Sequence, residues 1–385
     1  MKILCICYEN MGGLIGGVRQ VVEINQAFCA HGHQVEASVP KIGIYQKKAC
    51  FKINYVPTIN VKVLRPLVYH FLLPFYVLAD ALRFKPDVIL VHELFFSCAP
   101  TIVALLLRRP YFMLVDGDIE DFIVHHYPRP IIAWLNLLRW INFKFTKGVI
   151  TVSMALQKIL VERYGIPQEK MILINNGADP DVFRPMEKAT VCRSLGFKPD
   201  VFYVGFLGGL FSWHGLESLI KSMPLVLSRH PEVKFIIAGH GPMETGLRRQ
   251  AEELNLTKSL IFTGAVPFDL APQYMNIFDI CLVFFNPIRK NPGNPIKLFE
   301  YLGCGKPVIT SKQGGYGEIV ERINAGLGVD FQNPQKLAEA IITLIENDQL
   351  RKKMGDNGRQ AVVQEFNWGA TARMLEEYFI QAAAS

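Results

Sequence analysis

The chain has 385 residues, half of them hydrophobic, and a formal net charge of +7. That length and apolar content suit at least two domains with sizeable cores and exclude one small module. Its eight cysteines are scattered, several in apolar runs (Cys5, Cys7, Cys281), and form no CxxC pair and no Cys/His metal spacing. This excludes a disulfide scaffold or zinc module and predicts buried, reduced thiols in a cytoplasmic protein.

Taken in chain order, short apolar runs alternate with longer helical patterns. Strands are predicted at Lys2–Cys7, Val35–Val39, Val88–Val91, Tyr111–Val115, Gly148–Val152 and Met171–Ile174. Later ones are predicted at Val201–Leu207, Lys234–Ala238, Ser259–Thr263, Ile280–Phe284 and Pro307–Thr310. Helices are predicted at Val18–His31, Leu156–Tyr164, Gly215–Arg229, Gly246–Leu254 and Ile296–Leu302, and three amphipathic ones close the chain. Lys2–Cys7 is too short for a signal-peptide core and reads as a first buried strand. Leu64–Leu82 is mostly apolar, but Pro66, Pro74, Arg65, His70 and Asp80 interrupt it. That favours a buried or interfacial helix over a membrane span, which needs about 20 apolar residues.

Strand–helix alternation predicts parallel α/β sheets with helices on both faces. The alternation pauses at Asp179–Asp200, which holds Pro180, Pro185 and Pro199. The expected division is therefore residues 1–185, residues 186–369, and a final helix at 370–385 that packs back on the first domain. Two such units in series would leave a cleft between them. Ligands of these sheets bind where strands end and helices begin.

Three strand-to-helix turns carry candidate chemistry. Met11-Gly12-Gly13-Leu14-Ile15-Gly16-Gly17-Val18 lets backbone N–H groups approach a phosphate or a carbonyl oxygen, or is a plain tight turn. Phe206-Leu207-Gly208-Gly209 leads to His214, which could donate to a phosphate oxygen or simply cap the helix that follows. Asn294-Pro295-Ile296-Lys297-Leu298-Phe299-Glu300 places Lys297 and Glu300 on one helical face. There a cation could neutralise a diphosphate and a carboxylate could accept from a ribose diol; the alternative is a solvated surface pair.

Together the motifs resemble the retaining glycosyltransferases of family 4, over nearly the whole chain. Gly16-Gly17 with His31-Gly32-His33-Gln34-Val35 is similar to that family's glycine loop and first helix end. Asn175-Asn176-Gly177-Ala178-Asp179 with Phe183-Arg184-Pro185, and Ala238-Gly239-His240-Gly241-Pro242, resemble two further segments. The resemblance implies the GT-B fold: two Rossmann-like, doubly wound domains facing a central cleft. It also implies a nucleotide-diphospho-sugar donor on the second domain, a glycan or lipid-linked acceptor, same-face attack, no essential metal and no resident cofactor. The residues so assigned are Lys297, His214 and Asp116 for catalysis. Gly16, Gly17, Gly209, Gly239, His240, Ile296, Leu298 and Glu300 are assigned to the donor. The sequence departs from the family where Gly209, His214 and Pro292 stand in place of its usual arginine, lysine and first glutamate. Asp116 stands in place of a frequent histidine.

Asp116-Gly117-Asp118 could face the acceptor, sit solvated in a loop, or hold a divalent cation. Residues 1–185 hold 20 Lys/Arg against 14 Asp/Glu, net +6, and the remainder 21 against 20, net +1. Between Glu36 and Asp80, and again from Phe122 to Val161, there is no acidic residue, while lysines, arginines and aromatics interleave. Such stretches suit an anionic membrane surface at the inner face of the membrane, or are ordinary solvated helices. No nucleic-acid module is present. The rival functions are a nucleotide-sugar epimerase of the same fold and a non-catalytic protein binding sugar nucleotides or lipid carriers.

Overall fold

The structure is a computed structural model that describes residues 1–12, 16–45, 48–59, 61, 64–92, 94, 97–117, 128–284, 294–312 and 316–384. Asp118, Pro292 and the middle of the first glycine loop lie outside them. The chain divides into two units, Met1–Asn176 with Trp368–Ser385, and Gly177–Asn367.

The first unit is a parallel sheet of β1 (Lys2–Ile6), β2 (Gln34–Pro40), β3 (Lys52–Val56), β4 (Val88–His92), β5 (Tyr111–Val115), β6 (Gly148–Thr151) and β7 (Met171–Leu173), in spatial order β3-β2-β1-β4-β5-β6-β7. Its helices are α1 (Gly16–Ala30), α2 (Leu64–Phe84), α3 (Ala99–Leu106), α4 (Arg129–Phe145) and α5 (Met154–Tyr164). Central strands β4 and β5 are buried at every residue, as a sheet covered on both faces requires.

The second unit repeats the plan. Helix α6 (Lys188–Leu195) precedes β8 (Tyr203–Leu207), which is followed by α7 (Leu216–Leu227), β9 (Lys234–Ala238), α8 (Glu244–Glu253), β10 (Leu260–Gly264), α9 (Ala271–Ile277) and β11 (Ile280–Val283). Next come α10 (Ile296–Gly303), β12 (Val308–Ser311), α11 (Tyr316–Arg322), β13 (Gly326–Val329), α12 (Pro334–Ile345) and α13 (Asp348–Gln364). The parallel order is β10-β9-β8-β11-β12-β13. The closing helix α14 (Trp368–Ala384) belongs to the first unit. There it packs on α1, with Phe379 against Phe28 and Phe112, and Glu376 paired with His31 and His33.

Every strand read from the sequence forms. Two more form that the pattern does not predict. β3 is a half-exposed edge strand. β13 carries two glycines, and a β-carbon on Gly326 would collide with the Val308 carbonyl. The division also differs from the expected one: it falls after Asn176, not after Pro185, and the second crossing after Asn367, not residue 369. Residues 177–185 are held by the second unit. Ala178 N–H donates to the Phe366 carbonyl, Phe183 is buried in that unit's core, and the Arg359 guanidinium donates to the carbonyls of Pro180, Phe183 and Gly303. The prolines mark turns within that packed segment, not a linker.

Candidate active site

In the second sheet the chain runs β8-β9-β10 to one side and then crosses to β11 on the other side of β8. The carboxyl ends of β8 and β11 therefore flank a topological switch point, where open α/β sheets take ligands. Three features of the sequence converge there. Gly208 and Gly209 follow β8, His214 ends a 3₁₀ turn at Ser212–His214, and Lys297 stands in the first turn of α10.

Close backbone approach explains the glycines. Gly208 N–H donates to the Ala238 carbonyl at 2.9 Å and Leu210 N–H to that of His240 at 3.1 Å. A β-carbon on Gly239 would run into the Gly208 carbonyl, and one on Gly208 into Lys297 Nζ. Gly239 and Gly208 sit at φ 150° and 152°, where other residues are strained. Tyr301 on α10 fastens the end of β8: its hydroxyl accepts from Leu207 N–H at 2.7 Å.

Lys297 is the centre of this site. Its Nζ is buried, lies 4.2 Å from the centroid of the Phe206 ring and finds no hydrogen-bond acceptor among the described residues. Burial lowers its pKa from 10.5 to about 7, against the opposing pull of Glu300. The His214 ring meets the same Phe206 ring edge-on at 5.3 Å, and its Nδ1 lies 3.5 Å from the Phe284 carbonyl just past β11. Phe206 thus gathers Lys297 and His214 into one place. Glu300, one turn along α10, is buried at 4% exposure, so the solvated surface pair is excluded.

The remaining assignments separate. Leu298 is a core side chain whose N–H donates to the Pro295 carbonyl, and Ile296 is buried at the start of α10. His240 is exposed and held by Glu244, with Nδ1 at 2.7 Å from Oε2. Gly209 packs under Phe211, which stacks on Trp213 at 4.4 Å. This aromatic pair beside the loop is not distinguished by the sequence, because two rings in an apolar run read as core.

Gly16 and Gly17 open α1 at the first unit's own switch point between β1 and β4, and Asp116 follows the neighbouring strand β5. Here the structure adds two residues that sequence reasoning missed. Glu9 follows β1, and its carboxylate lies where a β-carbon on Gly17 would stand. Burial, and then the charge of Asp116, raise its pKa to about 7. His92 ends β4, 3.9 Å from Asp116 Oδ2, and burial lowers its pKa to about 4. Glu9, His92 and Asp116 each lie at or just past the carboxyl end of a strand, the ligand-binding edge, but only the order of β1, β4 and β5 in the sheet brings the three together.

Comparison with known proteins follows the same two units. Residues 15–182 match the family described as Glycosyltransferase Family 4, and residues 188–361 match Glycosyl transferases group 1. An uncharacterized glycosyltransferase of Methanocaldococcus jannaschii is 26% identical over 97% of this chain and 96% of its own. A GDP-mannose-dependent monoacylated alpha-(1-6)-phosphatidylinositol monomannoside mannosyltransferase of Corynebacterium glutamicum is 30% identical over 48% of each chain. Among solved structures, Anabaena HepE in complex with UDP has a TM-score of 0.79 at 21% identity, covering 99% of this chain and 100% of that one. Sucrose-phosphate synthase of Thermosynechococcus elongatus has a TM-score of 0.77 at 18% identity, covering 100% of both. These two likenesses speak for the fold, which is GT-B. With both units matched in order and a relative aligned from end to end, the chain belongs to the family 4 glycosyltransferases and is a sugar-transferring enzyme.

Proposed function

We propose that this enzyme takes its sugar from a nucleotide-diphospho-sugar held on the second unit, and transfers it with retention, without a metal or resident cofactor, to a glycan or lipid-linked acceptor. The observation that carries this reading is the buried ammonium of Lys297, which lacks an acceptor among the described residues and lies against the glycine turn after β8. A buried cation with no hydrogen-bond acceptor is costly, and a polyanionic ligand removes that cost. A perturbed lysine at a switch point is the expected signature of a functional group.

Each residue then has a task. Lys297 balances the charge that develops as the anomeric C–O bond breaks and its electron pair leaves with the diphosphate, so no divalent cation is needed for that charge. The Gly208-Gly209 and Gly239 turns let the diphosphate approach the backbone, and His214 adds a donor beside them. Glu300 accepts from the ribose hydroxyls. The acceptor oxygen bonds to the same face of the sugar, and its proton goes to the departing phosphate oxygen. Glu9, His92 and Asp116 in the first unit offer a mixed acid and imidazole cluster for acceptor hydroxyls. The relatives support the substrate classes: HepE was crystallised with UDP, and the Corynebacterium enzyme is named for GDP-mannose and a phosphatidylinositol mannoside. All eight cysteines are free, five of them buried, which suits a reducing cytoplasm.

The test is a panel of nucleotide-diphospho-sugars offered to the whole chain with and without a lipid-linked glycan extract. One donor should raise the melting temperature, with about 2.7 kcal/mol of stabilisation at a hundredfold excess over Kd. That donor should release nucleoside diphosphate only when acceptor is present, leaving the sugar on the acceptor in the donor's own anomeric configuration. Conversion of donor without acceptor would replace transfer by epimerisation, and no stabilisation by any donor would remove the reading altogether.

A further inference from the structure

Helix α2 is long and apolar enough to cross a bilayer by length and composition alone. It lies instead along the first sheet. Tyr69, Leu73, Val77 and Ala81 face inward, and buried Asp80 accepts from Ser38 Oγ at 2.8 Å. Its opposite face carries Leu67, Phe71, Phe75 and Leu82, with Phe71 72% and Phe75 63% exposed. Exposed aromatics in that register are not explained by the core.

The neighbouring helices continue the same surface. α2 packs on α3 and α3 on α4, and Thr101 Oγ1 donates to Asn142 Oδ1 at 2.6 Å between the last two. α3 exposes Ile102, Leu105 and Leu106. α4 exposes Trp134, Leu137 and Trp140 at every third residue. Lys144 Nζ lies 4.5 Å from the Trp140 ring centroid, a cation held among aromatics as at a membrane interface. Where α3 and α4 end, a cavity of about 380 Å³ opens, lined by Leu105 and Phe145 of that surface and by Arg108, Arg109 and Lys147. Its lining contains no carboxylate.

We propose that the outer face of α2, α3 and α4 is a bilayer-docking surface, and that the Arg108–Arg109–Lys147 cavity takes the phosphate headgroup of an anionic lipid. The three helices would lie in the interfacial plane, with their exposed aromatic and aliphatic side chains entering the acyl boundary. Charge selects this occupant over a second copy of the chain. The segments 64–84, 97–111 and 128–147 contain one acidic residue, Asp80, which is buried and salt-bridged to Arg83. A two-fold contact would set this basic surface against itself, whereas an anionic bilayer neutralises it. This goes beyond the donor reading and does not rest on it, because docking requires no turnover.

The experiment is co-sedimentation of the whole chain with vesicles of phosphatidylcholine alone and of phosphatidylcholine mixed with phosphatidylglycerol, at low and high salt, plus free inorganic phosphate as competitor. The mixed vesicles should bind the protein strongly, and salt should weaken that binding. Phe71→Ser with Phe75→Ser should abolish it on both compositions, with an unchanged circular-dichroism melt. Arg108→Gln, Arg109→Gln and Lys147→Gln together should remove only the anionic preference, on the order of a hundredfold in partition coefficient. Equal binding to both vesicle types, wild-type binding by either variant, or release by free phosphate alone would overturn the proposal. So would a dimer in vesicle-free solution that the two Phe substitutions dissociate.

Discussion

Lys297 Nζ lies 4.2 Å from the centroid of the Phe206 ring and against the α-carbon of Gly208, buried and with no hydrogen-bond acceptor among the described residues. An apolar side chain would fit that pocket at lower cost. The arrangement makes sense for a cation kept for an anionic ligand.

Lys297→Met should therefore separate stability from activity. The free protein should gain about 1–3 kcal/mol at neutral pH, while turnover falls by about a hundredfold or more. The sign of the pH dependence follows from the lowered pKa. Between about 7 and 10.5 the unfolded lysine holds its proton and the folded one does not, so stability rises with pH across that window. The gap between wild type and Lys297→Met should close as pH rises, by on the order of 3 kcal/mol. Urea melts at three pH values check it.

Gly208 and Gly239 should fail in different ways. A β-carbon at Gly239 meets the Gly208 carbonyl, which is backbone and cannot give, so Gly239→Ala should cost about 3 kcal/mol or more. At Gly208 it meets the far end of a lysine side chain, which can swing aside. The φ of 152° still strains the backbone by about 1–3 kcal/mol, so Gly208→Ala should lose less stability than Gly239→Ala and lose turnover as well, because Lys297 is displaced. Paired melting curves and rates decide this.

Glu9 should make the free protein less stable as pH rises through the 4.5 to 7 range. Its folded pKa is raised to about 7, so the folded state holds a proton that the unfolded state has released. Glu9→Gln should remove that slope and add on the order of 2 kcal/mol above pH 7. An unchanged pH profile in Glu9→Gln would mean that the carboxyl is ordinary.

Helix α14 should be part of the first unit's stability. Phe379 is buried between Phe28 and Phe112, and Phe379→Ala should cost about 3–4 kcal/mol. Denaturant titration monitored at the first unit measures it.

The fold was legible because covered parallel strands such as β4 and β5 are short continuous apolar runs between turn residues. β3 and β13 were not, since one is a half-exposed edge and the other is rich in glycine. The site was legible where local spacing carries it: Lys297 and Glu300 sit three apart on α10, and the glycines follow β8 and β9. Phe206 was not, because an aromatic inside a strand looks like core until the ring is seen beneath both Lys297 and His214. Glu9 and His92 were missed for a different reason: only the order of β1, β4 and β5 in the sheet brings them toward Asp116. The proline cluster misplaced the division because Arg359, distant in sequence, ties residues 180–183 to the second unit.

The most direct test is calorimetric titration of the whole chain with nucleoside diphosphates, repeated near pH 8 in buffers of different ionisation heat. One of them should bind and take up a proton as Lys297 becomes charged against the diphosphate, and Lys297→Met should lose both the uptake and about a hundredfold in affinity. Binding of equal strength in wild type and Lys297→Met, with no proton taken up, would contradict the role given to Lys297.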